Sequence, residues 1–194
     1  MAKLVAILGS VTPPGRMLNA LTWTIEESSR AVPGLQTDLI NLADYRVAFA
    51  DGRPPEQYGD DTASLLARIH EADAVLVASP VYRGTYTGAL KNLLDNLPIE
   101  ALTGKPIGIV AMGATTHHYL GIDWHLRDVL AWFGAIVAPT SVYLSSSDFV
   151  EGNLSDDAKR ELTSLVNALL KLREISPAAG EYLGPRPLAA RRTK

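Results

Sequence analysis

The sequence predicts a doubly wound α/β domain, in which helices cover both faces of a parallel sheet. Five short segments are rich in aliphatic residues, and most are apolar almost without interruption, as strands covered on both faces are. Longer segments between them carry apolar residues at every third or fourth position, which is the spacing of one helix face. Because the two kinds of segment alternate, we predict parallel strands joined by right-handed helical crossovers.

The five predicted strands differ in how far they alternate with polar residues. The first is a nearly unbroken aliphatic run that ends in Gly9 and Ser10, which is typical of a buried strand. The second alternates apolar with polar residues, as an edge strand does, and the third is again a buried run. In chain order, the predicted strands are residues 3–10, 35–42, 72–80, 105–113 and 134–144.

The helices are predicted from their apolar faces and from the residues that bound them. Pro33 and Gly34 end the first helix, and Pro98 ends the third. Ser155 offers an N-cap to the last helix. The apolar positions that define the helices are, in order, Leu18, Leu21 and Ile25; Leu65, Leu66 and Ile69; Tyr86, Leu90, Leu93, Leu94 and Leu97; residues 118–133; and Leu162, Leu165, Val166, Leu169 and Leu172.

The length of 194 residues suits one domain followed by a tail. We predict that residues 1–175 form the domain and that residues 176–194, which are rich in proline and end in "ARRTK", form a flexible tail. Five strand–helix units most often build a three-layer, flavodoxin-like sheet of five parallel strands in the order 2-1-3-4-5. In that order the ligand crevice lies at the carboxyl ends of strands 1 and 3.

Composition and charge exclude several classes of function. The chain has no cysteine, so disulfides, thiol catalysis and cysteine-ligated metals are ruled out. A net charge of -3 provides no long-range attraction for nucleic acid or for an anionic membrane. The short apolar run in "MAKLVAILGS" is too brief for a signal peptide, and no segment is long enough to span a bilayer. We therefore expect a soluble cytoplasmic protein that acts on small molecules.

The loop after the first strand has the composition of an anion site. Gly9 and Ser10 stand directly between a buried strand and a helix, where backbone N–H groups and a hydroxyl meet the positive end of the helix dipole. Arg16 adds a cation that suits phosphate. The spacing matches neither G-x-G-x-x-G nor a P-loop, which weighs against a simple dinucleotide or nucleoside triphosphate site. An ordinary turn, with Ser10 as the helix cap, is the alternative.

Two more loops at the same edge of the predicted sheet have related compositions. After the third strand, "SPVYRGTYTG" combines a rigid Pro80, the flat ring of Tyr82 and a small Gly84, which would suit a planar ligand ring. After the fourth strand, "MGATTH" offers a glycine and hydroxyl residues whose backbone N–H groups could meet ring carbonyls. Either loop alone would more often be structural, but three adjacent loops of this kind favour a ligand site.

Other polar and aromatic groups are less informative. His117, His118 and His125 lack the spacing of a metal site, so we assign no metal. Lys91 and Asp95 are expected to form a solvated pair. The fourth helix has more apolar surface than one sheet face can cover, which suggests either a subunit interface or a thick core helix. The residues concerned are Tyr119, Trp124, Leu126, Trp132 and Phe133.

These loops resemble those of the NADPH-dependent FMN reductase family, and in particular the flavin reductases that serve alkanesulfonate-type two-component monooxygenases. "SPVYRGTYTGALKNLLDNLP" is similar to the family signature P-x-Y-x-G…G-x-L-K-x-x-L-D, and the similarity extends over roughly residues 3–150. The first loop departs from the family pattern, because Thr12 stands where an arginine is usual and Met17 where a serine is usual.

The resemblance implies hydride transfer from NADPH to FMN, with no catalytic side chain because the cofactor carries the chemistry. It implies that either Arg16 or Arg83 meets the NADPH 2′-phosphate, and that the protein is a homodimer or homotetramer that supplies a partner monooxygenase. Whether FMN is a loosely held substrate or a tightly held group stays open. The implied FMN contacts are Ser10, Thr12, Arg16, Met17 and Leu18 at the phosphate; Pro80, Val81, Tyr82, Arg83, Gly84 and Thr85 at the ribityl chain and ring edge; and Gly113, Ala114 and Thr115 at the pyrimidine end.

Three alternatives stay open at this point. A quinone, azo or chromate reductase on the same scaffold would hold FMN tightly. A flavodoxin-like electron carrier would bind FMN without using pyridine nucleotide, although such carriers tend to be more acidic than a net charge of -3. An interaction domain with an empty crevice would bind no flavin.

Overall fold

The structure, a computed structural model, describes residues 2–177 and 182–186. It contains a six-stranded parallel sheet between two helical layers, and a separate small hairpin. The elements are, in chain order, β1 (Lys3–Leu8), α1 (Arg16–Ala31), β2 (Gln36–Asn41), α2 (Thr62–His70), β3 (Ala74–Pro80), α3 (Gly88–Asn96), β4 (Pro106–Met112), α4 (Tyr119–Trp132), β5 (Ile136–Val137), β6 (Val142–Leu144), β7 (Phe149–Val150), β8 (Asn153–Leu154) and α5 (Asp156–Glu174).

The strand order is β2-β1-β3-β4-β5, with β6 also paired to β4, which confirms the predicted flavodoxin-like topology. The two faces of the sheet bury separate apolar clusters. One cluster joins β1, β3 and β4 to α2, α3 and α4, and the other joins the opposite faces of the same strands to α1 and α5. Strands β3 and β4 are almost fully buried, as their continuous apolar sequences predicted.

The predicted fifth strand is wrong in one respect, because residues 134–144 form two short strands on the same edge of β4. β5 pairs with the beginning of β4 and β6 with its end, and Pro139 lies between them. Proline has no N–H to give to a ladder. The carbonyls of Ala138 and Pro139 instead accept from the Arg127 guanidinium of α4, at 3.0 and 3.1 Å. The break is therefore held by α4.

One further detail was not predicted, and another was. The hairpin of β7 and β8 follows the sheet, and no pattern of residues indicated it. Ser155 caps α5 as expected, accepting from the Ala158 N–H at 3.2 Å.

The predicted tail lies partly outside the described residues, since these omit 178–181 and 187–194, so the division at residue 175 stays a prediction. Within the described residues, no helix is both long and apolar enough to cross a bilayer.

An ion pair between α2 and β2 supports the edge of the sheet. Arg68 donates to both carboxylate oxygens of Asp38, at 2.9 and 2.7 Å, and also to the hydroxyl of Tyr45 at 2.8 Å. The two charged side chains are 27% and 26% exposed, so water screens them only in part. The hydrogen bonds from Arg68 hold the pKa of Asp38 below its usual value, although burial opposes this shift.

We expect Asp38→Asn to lower the free energy of unfolding by about 1–2 kcal/mol at pH 7. Because the pKa of Asp38 is depressed on folding, the stabilisation is complete above the unfolded pKa near 3.9 and is lost as the pH falls through the folded value. Urea unfolding at pH 7, 5 and 3 should show the deficit of the variant shrinking at the lowest pH. Asp95→Asn, which removes the exposed pair with Lys91, should cost less than about 0.5 kcal/mol. A deficit for Asp38→Asn that does not change with pH would contradict this assignment.

Candidate functional site

The loop from β1 to α1 leads into a helix N-terminus whose first backbone donors have no acceptor within the helix. Gly15 is the N-cap and has no side chain to cap the helix, and the first turn contains no acidic residue. Because the first helical hydrogen bond runs from the Asn19 N–H to the Gly15 carbonyl, the N–H groups of Arg16, Met17 and Leu18 have no acceptor within α1. Such a terminus attracts anions. Ser10 lies before the cap position and does not cap α1.

A cavity of about 230 Å³ lies over this helix end. Six of the predicted contact residues line it, namely Ser10, Thr12, Arg16, Met17, Leu18 and Pro80. The structure adds six that were not predicted, namely Leu8, Pro13, Pro14, Gly15, Asn41 and Met112. The cavity therefore extends from the end of β2, across β1 and β3, to the end of β4.

The polar side chains of this cavity already have partners. The hydroxyls of Ser10 and Thr12 lie 2.7 Å apart, and the Thr12 N–H donates to the Ser10 hydroxyl at 3.3 Å. Arg16 lies over the ring of Phe149, from the β7–β8 hairpin, with its guanidinium carbon 5.4 Å from the ring centroid. Thr12 thus braces the loop instead of supplying the positive charge that the family pattern places there.

The loop after β3 folds into a tight turn. The Tyr82 N–H donates to the Thr85 carbonyl at 2.7 Å, and the Thr85 N–H donates back to the Tyr82 carbonyl at 3.1 Å. Arg83 and Gly84 between them have φ values of 51° and 84°, so the turn requires left-handed backbone at both positions. Arg83 is exposed at the tip of the turn, and the Tyr82 side chain is 46% exposed beside it.

Helix α4 limits where this turn can lie. A Cβ atom at Gly121 would come within 2.6 Å of the Gly84 carbonyl oxygen, so the absence of a side chain at Gly121 lets the first turn of α4 approach the loop closely. Gly84 itself has open space around the position of a Cβ atom. Its glycine is required by the positive φ rather than by a neighbouring group of the protein.

The third loop is anchored at both ends to β6. The Gly113 N–H donates to the Leu144 carbonyl at 3.0 Å, and the Tyr143 hydroxyl donates to the Thr115 carbonyl at 2.6 Å. The prediction that Gly113 offers its N–H to a ligand is therefore at odds with the structure, because that donor is already used. Within the described part of the chain, the N–H groups of Ala114 and Thr115 have no intramolecular acceptor, and both residues are exposed.

Backbone contacts hold the three loops next to one another. The Gly9 N–H donates to the Ala78 carbonyl at 2.7 Å, and the Val81 N–H donates to the Met112 carbonyl at 2.8 Å. Thr87 caps α3 and donates its hydroxyl to the Gly9 carbonyl. The remaining predicted contacts lie outside the lining of the 230 Å³ cavity, on these two neighbouring loops; they are Val81, Tyr82, Arg83, Gly84, Thr85, Gly113, Ala114 and Thr115.

Of the residues that the sequence analysis missed, two had a usable signal. Gly15 directly precedes the first helix, which is where an N-cap must be. Asn41 ends the strand that the predicted order places beside β1, and it is buried, with its side-chain oxygen accepting from the Ala43 N–H at 3.4 Å. Among the described residues, no group of three or more His, Asp or Glu side chains is arranged to hold a metal.

A parallel sheet in the order 2-1-3-4-5, with helices on both faces, defines a flavodoxin-like α/β protein, whose ligand crevice lies at the carboxyl ends of β1 and β3. The chain belongs to the NADPH-dependent FMN reductase family, whose sequence model matches residues 2–149. This membership agrees with the resemblance that the loop motifs indicated, and it makes the chain an NAD(P)H-dependent oxidoreductase acting on flavin.

Individual relatives agree with this assignment. An "NAD(P)H-dependent FAD/FMN reductase" of Geobacillus thermodenitrificans is 40% identical over 160 residues, which are 82% of this chain and 86% of that protein. An "FMN reductase (NADPH)" of Pseudomonas aeruginosa is 36% identical over 147 residues, 76% of this chain and 78% of that one. The crystal structure of an apo NADH:FMN oxidoreductase called EMOB superposes with a TM-score of 0.75 at 26% identity, covering 96% and 98% of the two chains.

Proposed function

We propose that this chain transfers a hydride from NAD(P)H to FMN bound at the carboxyl ends of β1, β3 and β4. The observation that carries the proposal is the N-terminus of α1, where three N–H groups without an acceptor in the helix and the Arg16 side chain meet at a 230 Å³ cavity. This donor set suits a phosphate monoester, and the exposed Tyr82 and the turn beside it suit a planar ring. The residues present therefore fit FMN.

The protein's own part in the reaction is to bind and orient. FMN, when bound, supplies the atom that accepts the hydride, so the chain needs no general acid or base of its own. The N–H groups of Arg16, Met17 and Leu18 hold the phosphate, and Ala114 and Thr115 offer two further N–H groups to the ring. The rigid Tyr82–Thr85 turn restricts the position of the ring edge, which favours a productive geometry for hydride transfer.

The phosphate site favours a flavin that leaves after reduction. Among the residues that line the described cavity, Arg16 is the single cation, and it is engaged with Phe149. Pro13 and Pro14 contribute no N–H groups to the loop. We therefore propose that FMN is a loosely held substrate. We also propose that reduced FMN passes to a partner monooxygenase and that the reaction takes place in the cytoplasm.

The visible spectrum of the pure protein tests the function directly. Titration with FMN should perturb the flavin bands, and addition of NADPH under argon should bleach them. No spectral change on FMN addition would overturn the proposal, and binding without bleaching would identify an electron carrier instead. Aerobic turnover with free FMN should exceed turnover with a quinone; the reverse result would favour a quinone reductase that holds FMN tightly.

We expect Arg83 to recognise the 2′-phosphate of NADPH. Within the described residues Arg83 forms no ion pair, whereas Arg16 lines the cavity assigned to the FMN phosphate, so Arg83 is the more available cation for the nucleotide. Arg83→Asn removes the charge and tolerates the positive φ of this position. It should raise KM for NADPH about tenfold and leave KM for NADH unchanged. Arg83→Lys should restore most of the preference, and equal effects on both nucleotides would contradict the assignment.

We also propose that the exposed face of α4 is a homo-oligomer interface. Of the five residues that suggested this face, Leu126 and Phe133 are buried in the core. Trp124 and Trp132 are 69% and 61% exposed, which is unusual for tryptophan in a monomer. Trp132→Glu should shift the protein to a smaller species in sedimentation velocity at micromolar concentration. Glu26→Gln, an exposed change on α1 at the opposite face of the sheet from α4, should have no effect, and a wild type that sediments as a monomer would refute the interface.

A further inference from the structure

Tyr143 lies where it can control the loop that follows β4. It is the middle residue of β6 and pairs in register with Ala111 of β4, two residues before Gly113. Its ring packs against the apolar cluster between the sheet and α4, while its hydroxyl reaches the Thr115 carbonyl at 2.6 Å. Tyr143 of β6 thus holds the end of the loop that follows β4, the neighbouring strand.

The glycine at position 113 is matched to this tyrosine. A Cβ atom at Gly113 would collide with the Tyr143 hydroxyl and would lie 3.0 Å from the ring carbon that carries it. The φ angle of Gly113 is not in the left-handed region, so backbone conformation does not demand glycine here. The requirement is steric, since any larger residue would displace the tyrosine from the loop.

The two hydrogen bonds to β6 also restrict the backbone N–H groups that lie between them in the loop. Because a trans peptide is planar, with its C=O and N–H pointing in opposite directions, holding the Thr115 carbonyl sets the direction of the Thr116 N–H. The Gly113 N–H is held by the Leu144 carbonyl at the other end. The N–H groups of Ala114 and Thr115 between these anchors are thereby presented from an ordered segment.

We propose that Tyr143 is a positioning residue for flavin, which orders the segment Gly113–Thr115 so that its free N–H groups are preorganised for the pyrimidine end of the ring. The inference rests on the proposed function and adds a residue that touches no flavin itself. Ordering the loop before binding removes an entropic cost that binding would otherwise carry. Burial raises the pKa of the Tyr143 hydroxyl, so the group stays protonated and remains a donor at neutral pH.

The test compares Tyr143→Phe with wild type, using two probes. FMN carries both ring and phosphate, whereas lumiflavin carries the ring without the ribityl phosphate. Loss of one preorganising hydrogen bond should raise Kd about five- to tenfold for both probes. KM for FMN should rise by the same factor while kcat at saturation stays unchanged. Hydrogen–deuterium exchange of residues 113–118 should accelerate in the absence of flavin.

Tyr58→Phe is the matched control, because it also removes a tyrosine hydroxyl that donates a hydrogen bond, here to the Asp51 carboxylate in a loop away from the site. It should leave both Kd values unchanged. Equal flavin affinity in Tyr143→Phe and wild type would overturn the inference, as would a Kd increase for FMN without one for lumiflavin. A wild type that binds neither probe would instead refute the proposed function. Exchange at residues 113–118 is measured without flavin, so equal exchange rates in Tyr143→Phe and wild type would refute the ordering role whether or not flavin binds.

Discussion

Gly15→Asp is expected to weaken FMN binding about 100-fold, equivalent to about 2.7 kcal/mol, while leaving riboflavin binding within about twofold of wild type. Gly15 has extended backbone, with φ -159°, and an added Cβ would meet no atom nearer than the Pro13 carbonyl at 3.9 Å. Aspartate can therefore take up the N-cap position without strain. Its carboxylate would accept from the free N–H groups of α1 and would repel the flavin phosphate.

The same change should not weaken the fold. An N-cap aspartate at a helix that has no side-chain cap should raise the free energy of unfolding by a few tenths of a kcal/mol, about the difference between Asp and Gly. Fluorescence titrations with FMN and riboflavin, together with urea unfolding, measure both effects. Gly15→Asn has the same shape without the charge and should weaken FMN less than about tenfold. If riboflavin binding fell as far as FMN binding, the carboxylate would be acting on the fold and not on a phosphate.

Gly9→Ala is expected to lower the free energy of unfolding by about 2–3 kcal/mol. The added Cβ would lie 2.6 Å from the Leu90 Cβ and 3.0 Å from the Leu90 Cγ. The Leu90 Cβ is attached to the backbone of α3 and its side chain is fully buried, so the helix must move away from β1. That movement would stretch the bond from the Thr87 hydroxyl to the Gly9 carbonyl, which joins the first two loops of the site.

Chemical denaturation measures the loss, and Gly88→Ala provides the control in the same helix. A Cβ at Gly88 would meet nothing within 4 Å, and its φ is not positive. Alanine there should therefore be neutral or stabilising, through its better helix propensity. We expect FMN affinity to fall in Gly9→Ala and to stay unchanged in Gly88→Ala. Equal free energies of unfolding in the two variants would show that α3 can move to accommodate the methyl group at position 9 without loss of stability.

The topology was predictable because its causes are local. Continuous apolar runs such as β3 need cover on both faces, and helical spacing between them leaves few alternatives to parallel crossovers. The position of the site follows from the strand order, since β1, β3 and β4 end side by side. Thus the three loops could be identified from the residues that follow each strand.

What the sequence could not supply depends on contacts between distant residues. The break between β5 and β6 is stabilised by Arg127 of α4, and no spacing rule foresees that contact. The use of the Gly113 N–H is decided by Leu144 on another strand, and the partner of Arg16 is decided by a hairpin that places Phe149 over it. Composition predicts which groups a loop carries, whereas tertiary structure decides which of them remain free.

The N–H groups at the start of α1 that have no acceptor within the helix also have an evolutionary consequence. Every residue except proline carries a backbone N–H, so a phosphate site built from main-chain groups places little constraint on the side chains around it. Substitutions such as Thr12 and Met17 can then accumulate by neutral drift as long as the helix begins at the same residue. Among diverging copies of such a loop, the start of the helix should be retained longer than its sequence, and proline at positions 17 or 18 should be selected against.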